Sequence, residues 1–330
     1  MIGTATHAPL SAGRLDYLPV GFFGSVMGLT GLSAAWRLAH IRFGVPRVIA
    51  DCIGLIAVGA FIAIAFAYLI KCLTAPEAVR SEFRHPIAGN MFGTVFVSML
   101  LLPIVVAPVS LLMARALWAT GAVGIVVFAW VIATRWLGVR QSQSNVTPPW
   151  IIPVIGLLDM PLAVPSLELH FLHGVMVLGL AVGLFFTIPL FTLIFQRQLL
   201  EPPMPDGLKP TLLILAAPAA VGFSSYVATT GNVDLFAESL YALTLFLLAV
   251  LGGHLRHLPA CCPFRVSWWA VSFPLAACTI AAVRFASYDP GWVTNGIALA
   301  LLALVTIIIS WLFVRTLAGM ARGELRTLSL

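Results

Sequence analysis

The sequence predicts an all-α integral membrane protein, with ten transmembrane helices forming a single transmembrane domain over residues 1–330. They fold as five helical hairpins, with bent odd-numbered helices inside around a central pore and straight even-numbered helices outside. Three observations predict this. Of the 330 residues 61% are hydrophobic and only 9% charged, against roughly a quarter charged in soluble domains. So few charges cannot coat a water-facing surface, which excludes a soluble globular enzyme. The apolar residues fall in ten runs of about the length that crosses a hydrocarbon core. Proline, finally, is concentrated in alternate runs.

The first run, Tyr17–Ala39, follows a polar, Gly/Ala-rich N-terminus (Met1 to Asp16) without the apolar core of a signal peptide, so it reads as a retained helix. Helix 2 is Val48–Ile70, helix 3 Ile87–Ala107 and helix 4 Leu111–Thr134. Helix 5, Pro149–Val164, is short and broken, and a nine-helix alternative would omit it. Helix 6 is His170–Phe195, helix 7 Pro210–Thr229, helix 8 Leu235–Leu255, helix 9 Val266–Tyr288 and helix 10 Trp292–Val314.

Charge distribution discriminates between ten and nine. With ten helices, Arg14, Lys71, Arg80, Arg84, Arg135, Arg140 and the basic residues of the later loops up to Arg326 share one side, thirteen of the eighteen Lys and Arg. Arg37, Arg42, Arg47, Arg115 and Arg284 take the other. Positive residues favour the cytoplasm, so both termini are expected inside, in a multi-pass membrane protein. Omitting helix 5 would scramble that bias. Net charge is +6 with the arginines scattered singly, which disfavours a nucleic-acid partner and suits an anionic lipid face or solute.

Pro19, Pro103, Pro153, Pro161, Pro218 and Pro274 fall in helices 1, 3, 5, 7 and 9, whereas helices 2, 4, 8 and 10 have none and helix 6 carries Pro189. Interior proline removes a backbone hydrogen bond and bends the helix. In lipid the freed carbonyl needs protein or water beside it, which places bent helices inside the bundle.

The same helices are rich in small residues: Gly21, Gly24 and Gly28 in helix 1, Ser224 and Ser225 in helix 7, Ser272, Ala276 and Thr279 in helix 9. Small residues allow close helix packing, and they equally leave room for a path lined by backbone and hydroxyl dipoles. Among ionisable groups Asp159 stands out, lying between apolar residues of broken helix 5, where a carboxylate is costly enough to suggest a role. An ion pair with Arg284 of helix 9, or proton coupling, would account for it. Asp51 and Arg115 read as interfacial charges. His170 with His173, and His254 with His257 near Cys261 and Cys262, sit at boundaries without a third strong ligand, so neither a metal nor a cofactor is expected. The five cysteines make no disulfide framework. No HExxH or GxSxG elbow equips an enzyme.

Four separated motifs carry a resemblance. Pro19-Val20-Gly21-Phe22-Phe23-Gly24 with Gly28-Leu29, Glu82-Phe83-Arg84-His85-Pro86 with Asn90 and Phe92, Ala217-Pro218-Ala219 with Ser225-Tyr226, and Trp268 through Leu275 stand in order along the chain. Together they resemble the tellurite-resistance/dicarboxylate transporter family, which includes the plant guard-cell slow anion channels. The resemblance implies a homotrimer in the lipid bilayer, each protomer with its own pore between helices 1, 3, 5, 7 and 9. It also implies a gate at Phe273, which lies about 10 Å along helix 9 at 1.5 Å per residue. The resulting expectation is a channel or channel-like permease for small inorganic anions or oxyanions, with Asp159 a departure that raises proton-coupled carriage of a dicarboxylate, sulfite or tellurite-type oxyanion as the alternative. A non-conducting scaffold or receptor is disfavoured by the proline pattern.

Overall fold

The computed structural model describes residues 15–256 and 262–329. Arg14, His257 and Cys261, and the side chain of His170, lie outside the described residues. Nine helical segments among the described residues are long and apolar enough to span a membrane: Arg47–Thr74, Ala88–Val106, Leu111–Gly138, Pro148–Ser166, His173–Leu200, Asp206–Thr230, Leu235–Leu255, Val266–Tyr288 and Trp292–Ala321. These are helices 2 to 10 of the sequence, several of them longer than expected at the ends. Helix 5, the least regular, is among them. The segment outside the nine is helix 1, residues 20–43, whose Gly, Ser, Thr and Arg content lowers its hydropathy although it is almost entirely buried through its first half.

Burial separates the segments by parity. Helices 3, 5, 7 and 9 are 67–83% buried along their apolar windows, helices 2, 4, 6, 8 and 10 only 17–39%. The outer faces of the even helices expose large apolar side chains such as Leu55, Phe66, Trp130, Ile188, Phe246 and Ile307. A water-soluble monomer does not present such a belt. The chain is therefore a multi-pass membrane protein, with an inner set of helices wrapped by an outer set.

The inner helices share a second property. Each begins with 3₁₀ turns, Val20–Phe23, Ala88–Phe92, Pro148–Ile151, Asp206–Ala216 and Val266–Val271, before continuing as α-helix. Runs of 3₁₀ longer than a few residues are uncommon and mark strained or functional segments; the eleven residues of helix 7 are an extreme case. The prolines sit at these changes rather than producing mid-helix kinks. Pro218 and Pro274 occupy the first turn of the α-helical parts of helices 7 and 9, and Pro153 and Pro161 do the same for the two short α-stretches of helix 5. A missing N–H costs nothing in a first turn. Pro103 opens a new stretch after helix 3 breaks at Leu102, and Pro19 precedes helix 1 altogether.

One element was not expected. Pro76–Arg84 forms a short polar helix between helices 2 and 3, within what the sequence suggested was a loop. At the opposite end, Gly44 (φ 71°) and Gly231 (φ 75°) close helices 1 and 7 in the left-handed conformation, which only glycine adopts without cost.

Candidate functional site: two cavities on one path

Two cavities lie between the inner helices. The larger, of about 710 Å³, is lined by residues of helices 1, 3, 5, 7 and 9 together with Glu82, His85 and Ser329. The smaller, of about 110 Å³, is lined by the same five helices alone. No residue of helices 2, 4, 6, 8 or 10 contributes to either. Among the described residues only Phe273 and Val221 line both, so a ring from helix 9 and a branched side chain from helix 7 form the partition. Phe273 is 8% exposed, and it lies in the first turn of the α-helical part of helix 9, beside Pro274.

The mouth of the larger cavity is fixed by the polar helix. One carboxylate oxygen of Glu82 accepts the Val20 amide at 2.7 Å, so that the first amide of helix 1 is satisfied by a side chain. The other accepts the Tyr68 hydroxyl at 3.0 Å and the Lys71 ammonium at 2.7 Å. Lys71 also donates to the Leu18 carbonyl at 2.7 Å and is only 3% exposed. Three residues on, the His85 imidazole accepts the amides of Ile87 and Ala88 at the start of helix 3. Arg135 donates to the carbonyls of Phe83 and Arg84. The Glu82–Pro86 motif thus holds the starts of helices 1 and 3 in register. The sequence marks Glu82 only as part of a motif and Lys71 only as a loop charge, because the helix that carries Glu82 is too short to show a period.

The walls of the large cavity are mostly apolar. Thr94 and Thr211 donate to carbonyls three residues back, and so offer little to a solute. Asp159 lines this cavity at 3% exposure, and its Oδ1 is buried without a partner. The expected ion pair with Arg284 does not form among the described residues: Arg284 lines the smaller cavity, with its Nε buried and unpartnered. The partition lies between them. Asp159 therefore belongs to the mouth-side cavity, not to an outer charge cluster.

The expected lining divides in the same way. Gly21 and Gly24 line the large cavity and Ser224 the small one. Gly28, Ser225, Ser272, Ala276 and Thr279 line neither and instead make helix–helix contacts or fill the core. A Cβ on Gly28 would stand 2.1 Å from Ser272 Oγ, and one on Gly31 2.8 Å from Ala276 Cβ. Thr279 donates to the Leu275 carbonyl and reaches the Leu301 carbonyl of helix 10. At 100° per residue, neighbours in one small-residue stripe turn toward different partners, and sequence spacing alone does not say which. Val221, which lines both cavities, carries no signal in the sequence, and Arg37, which reads there only as an outer-side charge, lines the smaller one. Asp51, by contrast, pairs with Arg37 and Arg47 near the helix ends, and Arg115 donates to the Leu167 carbonyl.

A multi-pass helical bundle with an inner ring of five interrupted helices, two cavities in line and an aromatic partition defines a membrane channel or permease scaffold. The chain belongs to the family described as SLAC1, voltage-dependent anion channel, which it matches over residues 17–317. It is 28% identical over 310 residues to the S-type anion channel SLAH3 of Arabidopsis thaliana, covering 91% of this chain and 48% of the relative. It is 25% identical to the guard cell S-type anion channel SLAC1 of the same plant, with 91% and 55% covered. With the tellurite resistance protein TehA homolog of Haemophilus influenzae it is 26% identical over 315 residues, 93% of this chain and 92% of the relative. The chain thus spans about half the length of these two plant relatives and nearly all of the bacterial one.

Proposed function

We propose that this chain conducts small inorganic anions or oxyanions along the path between helices 1, 3, 5, 7 and 9, with Phe273 as the gate. One observation carries the reading: Phe273 lines both cavities, a place it shares only with Val221 among the described residues. Family membership and the names of the relatives support the anion as solute. The mostly apolar walls suit transit rather than tight binding, since a conducted ion must leave as readily as it enters. The protein would sit in a bacterial inner membrane with helix 1 as a tenth span and both termini cytoplasmic, which puts the larger cavity and its Glu82 mouth on the cytoplasmic side. The apolar outer faces need lipid or a second copy of the chain, in keeping with a homotrimer.

In proteoliposomes, Phe273→Ala is expected to raise chloride and nitrate flux at least several-fold over the parent. Unchanged flux from properly inserted protein would refute the gate. A second reading has its own observation: the buried, unpartnered carboxylate of Asp159 in the mouth-side cavity suits a proton-coupled carrier of dicarboxylate or oxyanion. A carrier saturates and responds to a proton gradient; a channel follows voltage alone.

A further inference from the structure

We propose that the smaller cavity, beyond Phe273, is a binding site for one small monovalent inorganic anion, held between Arg37 and Arg284. Four polar side chains line it: Arg37, Arg284, Thr30 and Ser224. All four carry a buried atom without a hydrogen-bond partner, Nε in each arginine, Oγ1 in Thr30 and Oγ in Ser224. Thr30 is 0% and Ser224 2% exposed. Buried donors left unmet are expensive, and they come from three different helices. One acceptor placed among them would satisfy several at once.

The charge balance points the same way. Arg284 has no carboxylate within 4.0 Å among the described residues, and Arg37 meets a single one, Asp51, at 2.8 Å. Asp51 is in turn shared with Arg47 at 3.4 Å. Asp51 is therefore divided between two guanidinium groups, Arg37 and Arg47, while Arg284, which also lines the cavity, has none among the described residues. Each guanidinium has five donors in a fixed fork, and Asp51 occupies one of those of Arg37. The Asp159 carboxylate lines the larger cavity and not this one.

Size selects the ligand. A cavity of roughly 150 Å³ accommodates a benzene ring, so 110 Å³ admits a halide or nitrate and turns away an extended dicarboxylate. The remaining walls, Leu38, Leu101, Ile104, Leu162 and Ile280 among them, are apolar and make desolvation the main cost, which favours weakly hydrated ions. In the conduction reading this site would receive the ion once Phe273 moves. Binding itself does not depend on that reading.

The test follows unfolding temperature of the purified protein while sodium bromide replaces sodium gluconate at constant ionic strength, since an ion that binds only the folded state raises it saturably. The parent is expected to show a saturable rise. Arg284→Gln should shift the half-maximal concentration upward by about tenfold or more, and Arg284→Lys should restore part of the effect. Should Arg284→Gln fail to fold, the pair Thr30→Val and Ser224→Ala removes the hydroxyls without touching charge and should weaken bromide several-fold. No saturable rise in the parent, or a parent-like titration in the variants, overturns the site. Bromide flux through Phe273→Ala separates the two proposals: absent flux with an intact bromide titration defeats conduction and leaves the site standing, whereas flux without the titration defeats the site alone.

Discussion

Gly28 of helix 1 and Ser272 of helix 9 meet so closely that a Cβ on the glycine would lie 2.1 Å from Ser272 Oγ and 2.4 Å from its Cβ. Ser272 also donates to the Trp269 carbonyl at 2.6 Å and immediately precedes Phe273. The position of the partition thus depends on the absence of a methyl group one helix away.

Gly28→Ala is accordingly expected to force helices 1 and 9 apart, costing about 1–3 kcal/mol as overpacking does. Gly59 of outer helix 2 has nothing within 4 Å of a built Cβ, so Gly59→Ala should be neutral or slightly stabilising. Thermal unfolding of both variants in detergent checks the contrast, and equal behaviour would contradict the close approach.

Val221 shares the partition with Phe273. Val221→Ala should raise anion flux, but less than Phe273→Ala because the ring still obstructs the path. Proteoliposome flux of the single and double variants gives the order.

Glu82→Gln removes the charge facing Lys71, whose ammonium is buried and 2.7 Å away. Stranding a buried charge costs about 3–5 kcal/mol. Glu82→Gln should therefore lower stability more than Lys71→Met, which leaves Glu82 still bonded to the Val20 amide and the Tyr68 hydroxyl. Chemical or thermal unfolding of the two variants decides it.

Asp159→Asn should leave voltage-driven flux in place if the path is a channel, and abolish the response to a proton gradient if the protein is a carrier. Flux measured with and without an imposed gradient distinguishes the outcomes.

Asp234 caps helix 8, accepting the Ala237 amide at 3.0 Å and the Tyr226 hydroxyl. These bonds hold its carboxyl below the ordinary carboxylate range, the hydroxyl contributing most. A depressed folded-state value means that the contribution is present above the unfolded value and lost as the pH falls through the folded one. Acid unfolding of Asp234→Asn should therefore depend less on pH than that of the parent.

The sequence by itself determined the class, the membrane location and the division into inner and outer helices. Those follow from one-dimensional quantities: too few charges to face water, apolar runs of spanning length, and prolines that lipid tolerates only beside other protein. It also marked Asp159 and, through the motif around Trp268 and Leu275, Phe273. Which small residues face space and which face another helix was decided by the tertiary structure, as Gly24 and Gly28 illustrate: one turn apart in helix 1, one borders a cavity and the other touches Ser272. The same holds for charges. Arg284 and Asp159 look like natural partners along the chain, yet the ring of Phe273 comes between their cavities, while Lys71 and Glu82 meet only because a nine-residue helix folds back. Period and composition record what a helix is made of; the direction each side chain points is set by the neighbours it meets, and those are chosen only when the helices assemble.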